Sequence, residues 1–224
     1  MDLKKRIPEP ELMDLSEQAE AYWKADFSQP HNMFVDLFTE RFGNNIKGRF
    51  LDLGCGTCDI SIRFAKRFPD VTIHAVDGAK AMLKLANKDI EKYKLDNKIK
   101  TFNLTLPFDK SALPFNLYDG VIINSLLHHL ANPDVMWNTI KELIKKEGII
   151  FIMDLIRPET TFQAKEIVEK YSGNEAEILK KDFYNSLLAA YKIDEVKKQL
   201  NKHRLSYLNI EVVSDRHFIV WGNL

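Results

Sequence analysis

Cysteine is scarce in this chain. Only two occur in 224 residues, and they stand together as Cys55-Gly56-Thr57-Cys58. Two thiols with no histidine at ligand spacing make a poor zinc site, so no metal is expected. A charge excess is also missing. Lys plus Arg number 32 and Asp plus Glu number 32, which puts the isoelectric point near 7.0. A nucleic-acid binder carries a basic surplus, and none is expected as a partner here. No apolar run approaches the roughly 20 residues of a membrane span. The start, Met1 to Pro8, holds basic residues but no apolar stretch behind them. A signal peptide is therefore not expected, and the cytoplasm is the expected location. Internal repeats and low-complexity segments are absent from the pattern.

Apolar residues make up 45% of the chain, enough for a sizeable core. The length suits one α/β domain with an added lid. Leu12, Leu15, Ala19 and Tyr22/Trp23 recur at helical spacing, which predicts a helix from Glu11 to Lys24. Pro30 is expected to break the chain and Asn32 to cap a second helix, closed by Gly43. Alternation follows: strand 50–53, helix 58–68, strand 71–77, helix 79–93, strands 99–104 and 119–124, helix 133–146, strand 149–154. Such a pattern implies right-handed crossovers and a parallel sheet with helices on both faces. The crossover over 105–117 lacks a helical pattern. Beyond Arg157-Pro158 three helices are expected, capped by Thr160 or Thr161, starting near Glu175, and capped by Asp194. Strands 208–213 and 217–221 close the chain.

The most informative stretch is Phe50-Leu51-Asp52-Leu53-Gly54-Cys55-Gly56-Thr57-Cys58-Asp59. An apolar strand runs into a glycine turn and then a helix. A second strand, Val71 to Val76, ends in Asp77. Glycine lets a ligand approach the backbone, and the distant carboxylate can accept from two ribose hydroxyls. This describes a site for an adenosine-containing cofactor at the C-terminal edge of the sheet. The dinucleotide fingerprint needs a third glycine where Asp59 stands. A negative charge at a helix N-terminus opposes a pyrophosphate but not a cationic sulfonium.

Leu51-Asp52-Leu53-Gly54-Cys55-Gly56-Thr57 resembles the first motif of the class I S-adenosylmethionine (SAM)-dependent methyltransferases. Asp77 matches the acidic residue that binds the adenosine ribose in that family. Tyr118 to Leu130, with its trailing His128-His129-Leu130, resembles the fourth-strand motif, and Gly148 to Asp154 the fifth strand. The likeness spans roughly residues 48–155. A bacterial small-molecule subgroup also shares the Ile7–Met13 opening, Asp182–Ser186 and Asp215-Arg216-His217.

The resemblance implies a Rossmann-like α/β fold. Its seven-stranded sheet is mostly parallel, with helices on both faces and a terminal antiparallel hairpin. Residues 1–47 would form an N-terminal helical lid, and 48–224 the methyltransferase domain with a helical insertion at about 158–203. SAM is the implied cofactor and S-adenosylhomocysteine the product. The methyl acceptor is expected to be a small molecule. Expected cofactor contacts are Asp52, Gly54, Cys55 and Gly56 on the first turn, and Asp77, Gly78 and Met82 after the second strand. Asn103 and Leu104 follow the third strand, and Asn124 ends the fourth. Two departures stand out: Cys58 replaces a frequent glycine, and the acid that often binds adenine is missing after the third strand. There Asn103 or a backbone group is expected to serve.

For chemistry, His128, His129 and Asp154 are the expected catalytic residues. Adjacent histidines are expected to point apart, so one acts as base and the other packs. Asp154 either pairs with Arg157 or holds or deprotonates the substrate. Tyr184 and Asn185 are candidates to face the pocket from the inserted helices. Tyr22, Trp23 and Phe27 form either an aromatic wall or core. The lysines from Lys80 to Lys100 read as a solvated helix face. Rival readings remain: methylation of RNA or protein, a non-catalytic SAM-binding module, a nicotinamide oxidoreductase, and a thioredoxin-like redox site at the two cysteines.

Overall fold

A computed structural model describes residues 2–8, 14–115 and 117–224. Part of the shared opening segment, residues 9–13, lies outside these described residues, as does the first turn of the expected first helix. Two helices come first, α1 (Ser16–Lys24) and α2 (Ser28–Phe42). An alternating run follows: β1 (Lys47–Leu53), α3 (Asp59–Arg67), β2 (Asp70–Asp77), α4 (Lys80–Lys92), β3 (Ile99–Asn103), β4 (Tyr118–Asn124), α5 (Asp134–Leu143) and β5 (Ile144–Leu155). The last part holds α6 (Thr161–Ser172), α7 (Glu177–Ala189), α8 (Ile193–Lys202), β6 (Asn209–Val212) and β7 (His217–Asn223). Lys110–Ala112 and Leu127–His129 form short 3-10 turns.

The seven strands lie in the order β3-β2-β1-β4-β5-β7-β6. β1 to β5 pair in parallel, and β7 runs antiparallel between β5 and β6. The order reverses between β1 and β4, and a crevice opens at such a point above the C-terminal strand ends.

Alternation along β1 sends neighbouring side chains to opposite faces, and Phe50, Leu51 and Leu53 are all buried. Phe50 faces α2 and α3 in a cluster with Phe34, Phe38, Phe64, Phe68 and Phe151. Phe38 sits at its centre, edge-on to Phe64 at 4.7 Å and to Phe151 at 5.4 Å. Leu51 and Leu53 face the other layer, with Tyr118, Trp137 and Ile140. Burying each such side chain contributes about 1.5–3 kcal/mol, which is why both faces must be covered.

Several element ends differ from expectation. α2 begins at Ser28 rather than at Asn32, with Pro30 inside its first turn. First-turn N–H groups lack helical partners, so proline costs nothing there. Asn32 instead accepts from Arg63 at 2.6 Å. α5 stops at Leu143, and Ile144 joins the sheet opposite Tyr118. Glu147 N–H and Gly148 C=O bond Leu224, so sheet pairing outcompetes another helical turn. Asp194 lies within the first turn of α8, where the start is held by Glu195 accepting from Lys192 N–H at 2.8 Å. α1 begins only at Ser16. Thr160 does cap α6, accepting from Gln163 N–H.

α1, the start of α2 and α7 cover the crevice. Gln18 on α1 donates to Asp182 on α7 at 2.7 Å, and α7 also packs on the Leu127–His129 turn. Residues 2–8 reach the same region. Arg6 donates to His128 O at 2.6 Å, Leu130 O at 2.9 Å and Ala189 O at 2.8 Å.

Candidate active site

The turn after β1 is shaped by its own backbone. Gly54 and Cys55 N–H both donate to Val76 O, at 2.8 and 3.1 Å. Gly54 has φ +73°, and a Cβ there would lie 2.8 Å from Leu126 Cδ1. Packing against Leu126, rather than a ligand, is thus the first thing that requires this glycine. Gly56, at φ +51°, has no atom within 4 Å of a Cβ position and faces open space. Cys58 adopts φ +60° and starts α3 fully buried. It therefore takes the left-handed backbone a glycine would take, and the departure in sequence leaves a glycine-like turn.

Asp77 closes this turn. Its Oδ2 accepts from Gly56 N–H and its Oδ1 from Ala79 N–H, both at 2.8 Å. Each oxygen keeps a lone pair for a ligand hydroxyl. Burial raises its carboxyl pKa, and the two backbone bonds oppose that rise. Asp52 is 2% exposed and accepts from Ser61 Oγ at 2.6 Å. Burial pushes its carboxyl up to about 7. Asn124 ends β4 with a buried Oδ1 that has no hydrogen-bond partner among the described residues. Leaving such an acceptor unmet costs about 1–3 kcal/mol, so it marks a place for a ligand donor.

These groups line one cavity of about 570 Å³. Asp52, Gly54, Cys55, Gly56, Asp77 and Gly78 are on its wall, with Met82, Leu104 and Asn124. Asn103 is not. Its amide donates to Asp77 O at 3.0 Å and Gly78 O at 2.8 Å, so it ties β3 to the β2 turn and lies exposed. Leu104, Thr105 and Leu106 take the wall position expected of it.

Across the sheet edge, His128 and Asp154 form a buried pair, Nδ1 to Oδ1 at 2.6 Å, 2% and 1% exposed. Asp154 also accepts from Leu127 and Leu155 N–H, each at 2.7 Å. Burial opposes its charge, but His128 and these bonds outweigh it and hold the carboxyl below its usual range. Asp154 is off the cavity wall and cannot touch a substrate directly. Its expected partner Arg157 bonds Glu195 at 2.8 Å, Leu3 O and Ala190 O instead. The two histidines do not point apart. Their rings lie 4.2 Å from each other and both line the cavity from the Leu127–His129 turn. Burial lowers the His129 pKa to about 3, with the neighbouring His128 adding to the effect.

His31 lines the wall without a sequence signal. His31 on α2 meets Asp59 on α3 at 2.5 Å, and Arg63 pairs with the same carboxylate at 2.7 Å. His31 and Arg63 therefore both hold the Asp59 carboxylate. Tyr22 stacks on Phe27 at 4.5 Å and Phe27 on His31 at 5.5 Å, forming an aromatic wall. Burial pushes the Tyr22 phenol up to about 12. Trp23 leaves this wall and donates to Asp89 at 2.6 Å. On α7, Asn185 reaches the cavity while Tyr184 packs into the α6–α7 cluster. Arg216 and His217 at the start of β7 complete the far end.

Cys55 and Cys58 are free and buried. Burial pushes the Cys55 thiol well above its usual range. A redox thiol needs the opposite shift, so the geometry disfavours the thioredoxin-like reading. Among the described residues, no His, Cys, Asp and Glu group could hold a metal, and no helix is long and apolar enough to cross a membrane.

Comparison with known proteins adds likenesses to methyltransferases. Residues 51–150 match the model of a methyltransferase domain. The chain is 30% identical over 130 residues to the biotin biosynthesis bifunctional protein BioHC of Teredinibacter turnerae, covering 55% of this chain and 22% of that protein. It is 22% identical over 135 residues to (S)-coclaurine N-methyltransferase of Thalictrum flavum subsp. glaucum, covering 60% and 36%. The match thus spans well under half of these curated relatives. Among solved structures, a SAM dependent methyltransferase from Aquifex aeolicus superposes with a TM-score of 0.67 at 17% identity, covering 93% of this chain and 98% of that one. At that identity the likeness is one of fold: the Rossmann-like sheet with its antiparallel C-terminal strands.

Proposed function

We propose that this chain, which carries a class I SAM-dependent methyltransferase domain, transfers a methyl group from SAM to a small-molecule nucleophile. One observation carries the reading: a covered cavity with a carboxylate-lined turn at one end and the His128–Asp154 pair at the other. Its volume, about 570 Å³, lies in the range of enclosed small-molecule sites. The cover of α1 and α7 and the zero net charge favour a small acceptor over RNA or a protein chain. We treat residues 1–47 as the lid. Two unpaired thiols suit a reducing, cytosolic location.

The residues fit the cofactor. Asp77 retains lone pairs for ribose hydroxyls, Gly56 leaves room for close approach, and the orphaned Asn124 Oδ1 awaits a donor such as an ammonium. When bound, SAM supplies a methyl group already activated by its sulfonium. The protein then has to align the acceptor, exclude water and take up a proton. Asp154 holds the His128 Nδ1 proton, which makes Nε2 the nitrogen that accepts from an acceptor O–H or N–H. Asp154 is a positioning residue in this scheme. His129, held neutral, shapes the wall.

The test combines binding and turnover. Calorimetry should show S-adenosylhomocysteine binding and no NAD binding. Methyl-labelled SAM incubated with a metabolite extract should label a small product, and His128→Ala should abolish it. No homocysteine-product binding would end the cofactor assignment, and undiminished labelling in His128→Ala would end the assignment of the base.

A further inference from the structure

Arg216 is 7% exposed yet lines the cavity. It stands at the start of β7, next to His217, which pairs with Leu155 at the end of β5. β7 is two strands from β4, about 10 Å across the sheet, so Arg216 belongs to the end away from the Asp77 turn. Its guanidinium lies 3.3 Å over the Tyr171 ring. Among the described residues its only side-chain hydrogen bond runs from Nη1 to Asp215 Oδ1, at 3.1 Å. Nη2 and Nε make none.

Asp215 Oδ2 also accepts from Lys170 at 2.9 Å and Tyr171 O–H at 2.7 Å. Lys170 is exposed, so water screens its charge, whereas the Arg216 guanidinium is buried and keeps donors with no bond among the described residues. Such buried unmet donors are costly without an acceptor. The fork of an arginine fits a carboxylate through two parallel bonds.

We propose that Arg216 anchors a carboxylate of the methyl acceptor, so that the substrate is a small carboxylic acid methylated elsewhere in its structure. This inference rests on the methyltransferase reading. The Tyr171 face fixes the guanidinium plane, and Asp215 holds one end of it. The remaining Nη2 and Nε edge is left for the ligand. A carboxylate could also come from the cofactor itself, and the experiment separates the two.

The probes are acetate, propanoate, benzoate and phenylacetate, each against its neutral amide. Binding to the parent and to Arg216→Met is measured by NMR titration, with and without S-adenosylhomocysteine. S-adenosylhomocysteine affinity is measured by calorimetry on the same samples. The expected result is that at least one acid binds the parent at least tenfold tighter than its amide. That preference disappears in Arg216→Met, while S-adenosylhomocysteine affinity is unchanged. Equal binding of every acid and amide, or an acid preference that survives in Arg216→Met, overturns the proposal. So does a tenfold loss of S-adenosylhomocysteine affinity in a folded Arg216→Met, which would assign the anion to the cofactor. If Arg216→Met does not fold, Arg216→Lys, which keeps the charge but loses the fork, decides by the same measures. A parent that binds no S-adenosylhomocysteine removes the methyltransferase reading, whereas the acid preference is read on the protein alone.

Discussion

The two ends of the cavity are built differently. The end proposed for the cofactor is built at three strand ends: the turn after β1, the carboxylate of Asp77 at the end of β2 and the amide of Asn124 at the end of β4. Its hydrogen bonds run from backbone N–H groups to a side chain, as where Asp77 holds Gly56 and Ala79. The end proposed for the acceptor also draws in the N-terminal residues and α7. His128 meets Asp154 across 26 positions, and Arg6 reaches His128 O across 122. A backbone cradle suits a cofactor of constant shape, whereas side chains from separate elements can vary with the acceptor.

Breaking the acceptor end should have the largest effect on turnover. His128→Ala should lower kcat about 10²–10⁴-fold and leave S-adenosylhomocysteine affinity within twofold, as expected for loss of a general base. Asp154→Asn should lower kcat less and alter its pH profile, because it disturbs the ring orientation rather than removing the ring. Steady-state kinetics with a labelled cofactor would decide both. Equal loss of cofactor affinity in either variant would erase the division into two ends.

Breaking the cofactor end should show in binding. Gly54→Val should cost about 1–3 kcal/mol in strain at φ +73° and as much again from displacing Leu126. Urea melts and calorimetry should both register it. Asp77→Ala should weaken S-adenosylhomocysteine binding by about 1.5–3 kcal/mol, the range for a charge-assisted hydrogen bond. An unchanged affinity in a folded Asp77→Ala protein would remove that carboxylate from the site.

The two ends should also respond oppositely to pH. Asp52 is raised to about 7 when folded, against about 3.9 unfolded, so the folded state binds more protons in that window. Its contribution to stability falls as pH rises from about 4 to about 7. His129 and His217 are lowered to about 3 and about 4, chiefly by burial, against about 6.5 unfolded. There the unfolded state binds more protons, and stability falls as pH drops below about 6.5. Denaturation of Asp52→Asn across pH 4–8 should lose the first slope, and that of His217→Asn should lose part of the second. Parallel curves for parent and variants would contradict these shifts. The smallest effect should come from Cys55→Ser combined with Cys58→Ser, which should retain most cofactor affinity because neither thiol is needed as a thiolate.

The glycine turn, Asp77 and the strand–helix alternation were legible because each depends on short-range chemistry. Periodicity of two or three to four residues and a turn of a few residues leave a direct trace in sequence. Element ends were less legible. The stop of α5 at Leu143 depends on Ile144 pairing with Tyr118 and on Leu224 bonding residues 147 and 148, all remote in the chain. Asn103 was a reasonable candidate by position, but the structure uses its amide to tie two loops.

Sequence by itself determined the layered α/β core and the turn that resembles the methyltransferase motif, since apolar alternation and glycine placement constrain the backbone locally. Tertiary structure alone decided that Asp154 serves His128 and not Arg157, and that both histidine rings share one wall. It alone brought His31 to Asp59, and it left Arg216 with a single carboxylate shared with Lys170. The physical reason is that a charge or hydrogen bond acts over a few ångströms of space, and chain separation says nothing about which groups will be that close once both faces of the sheet are covered.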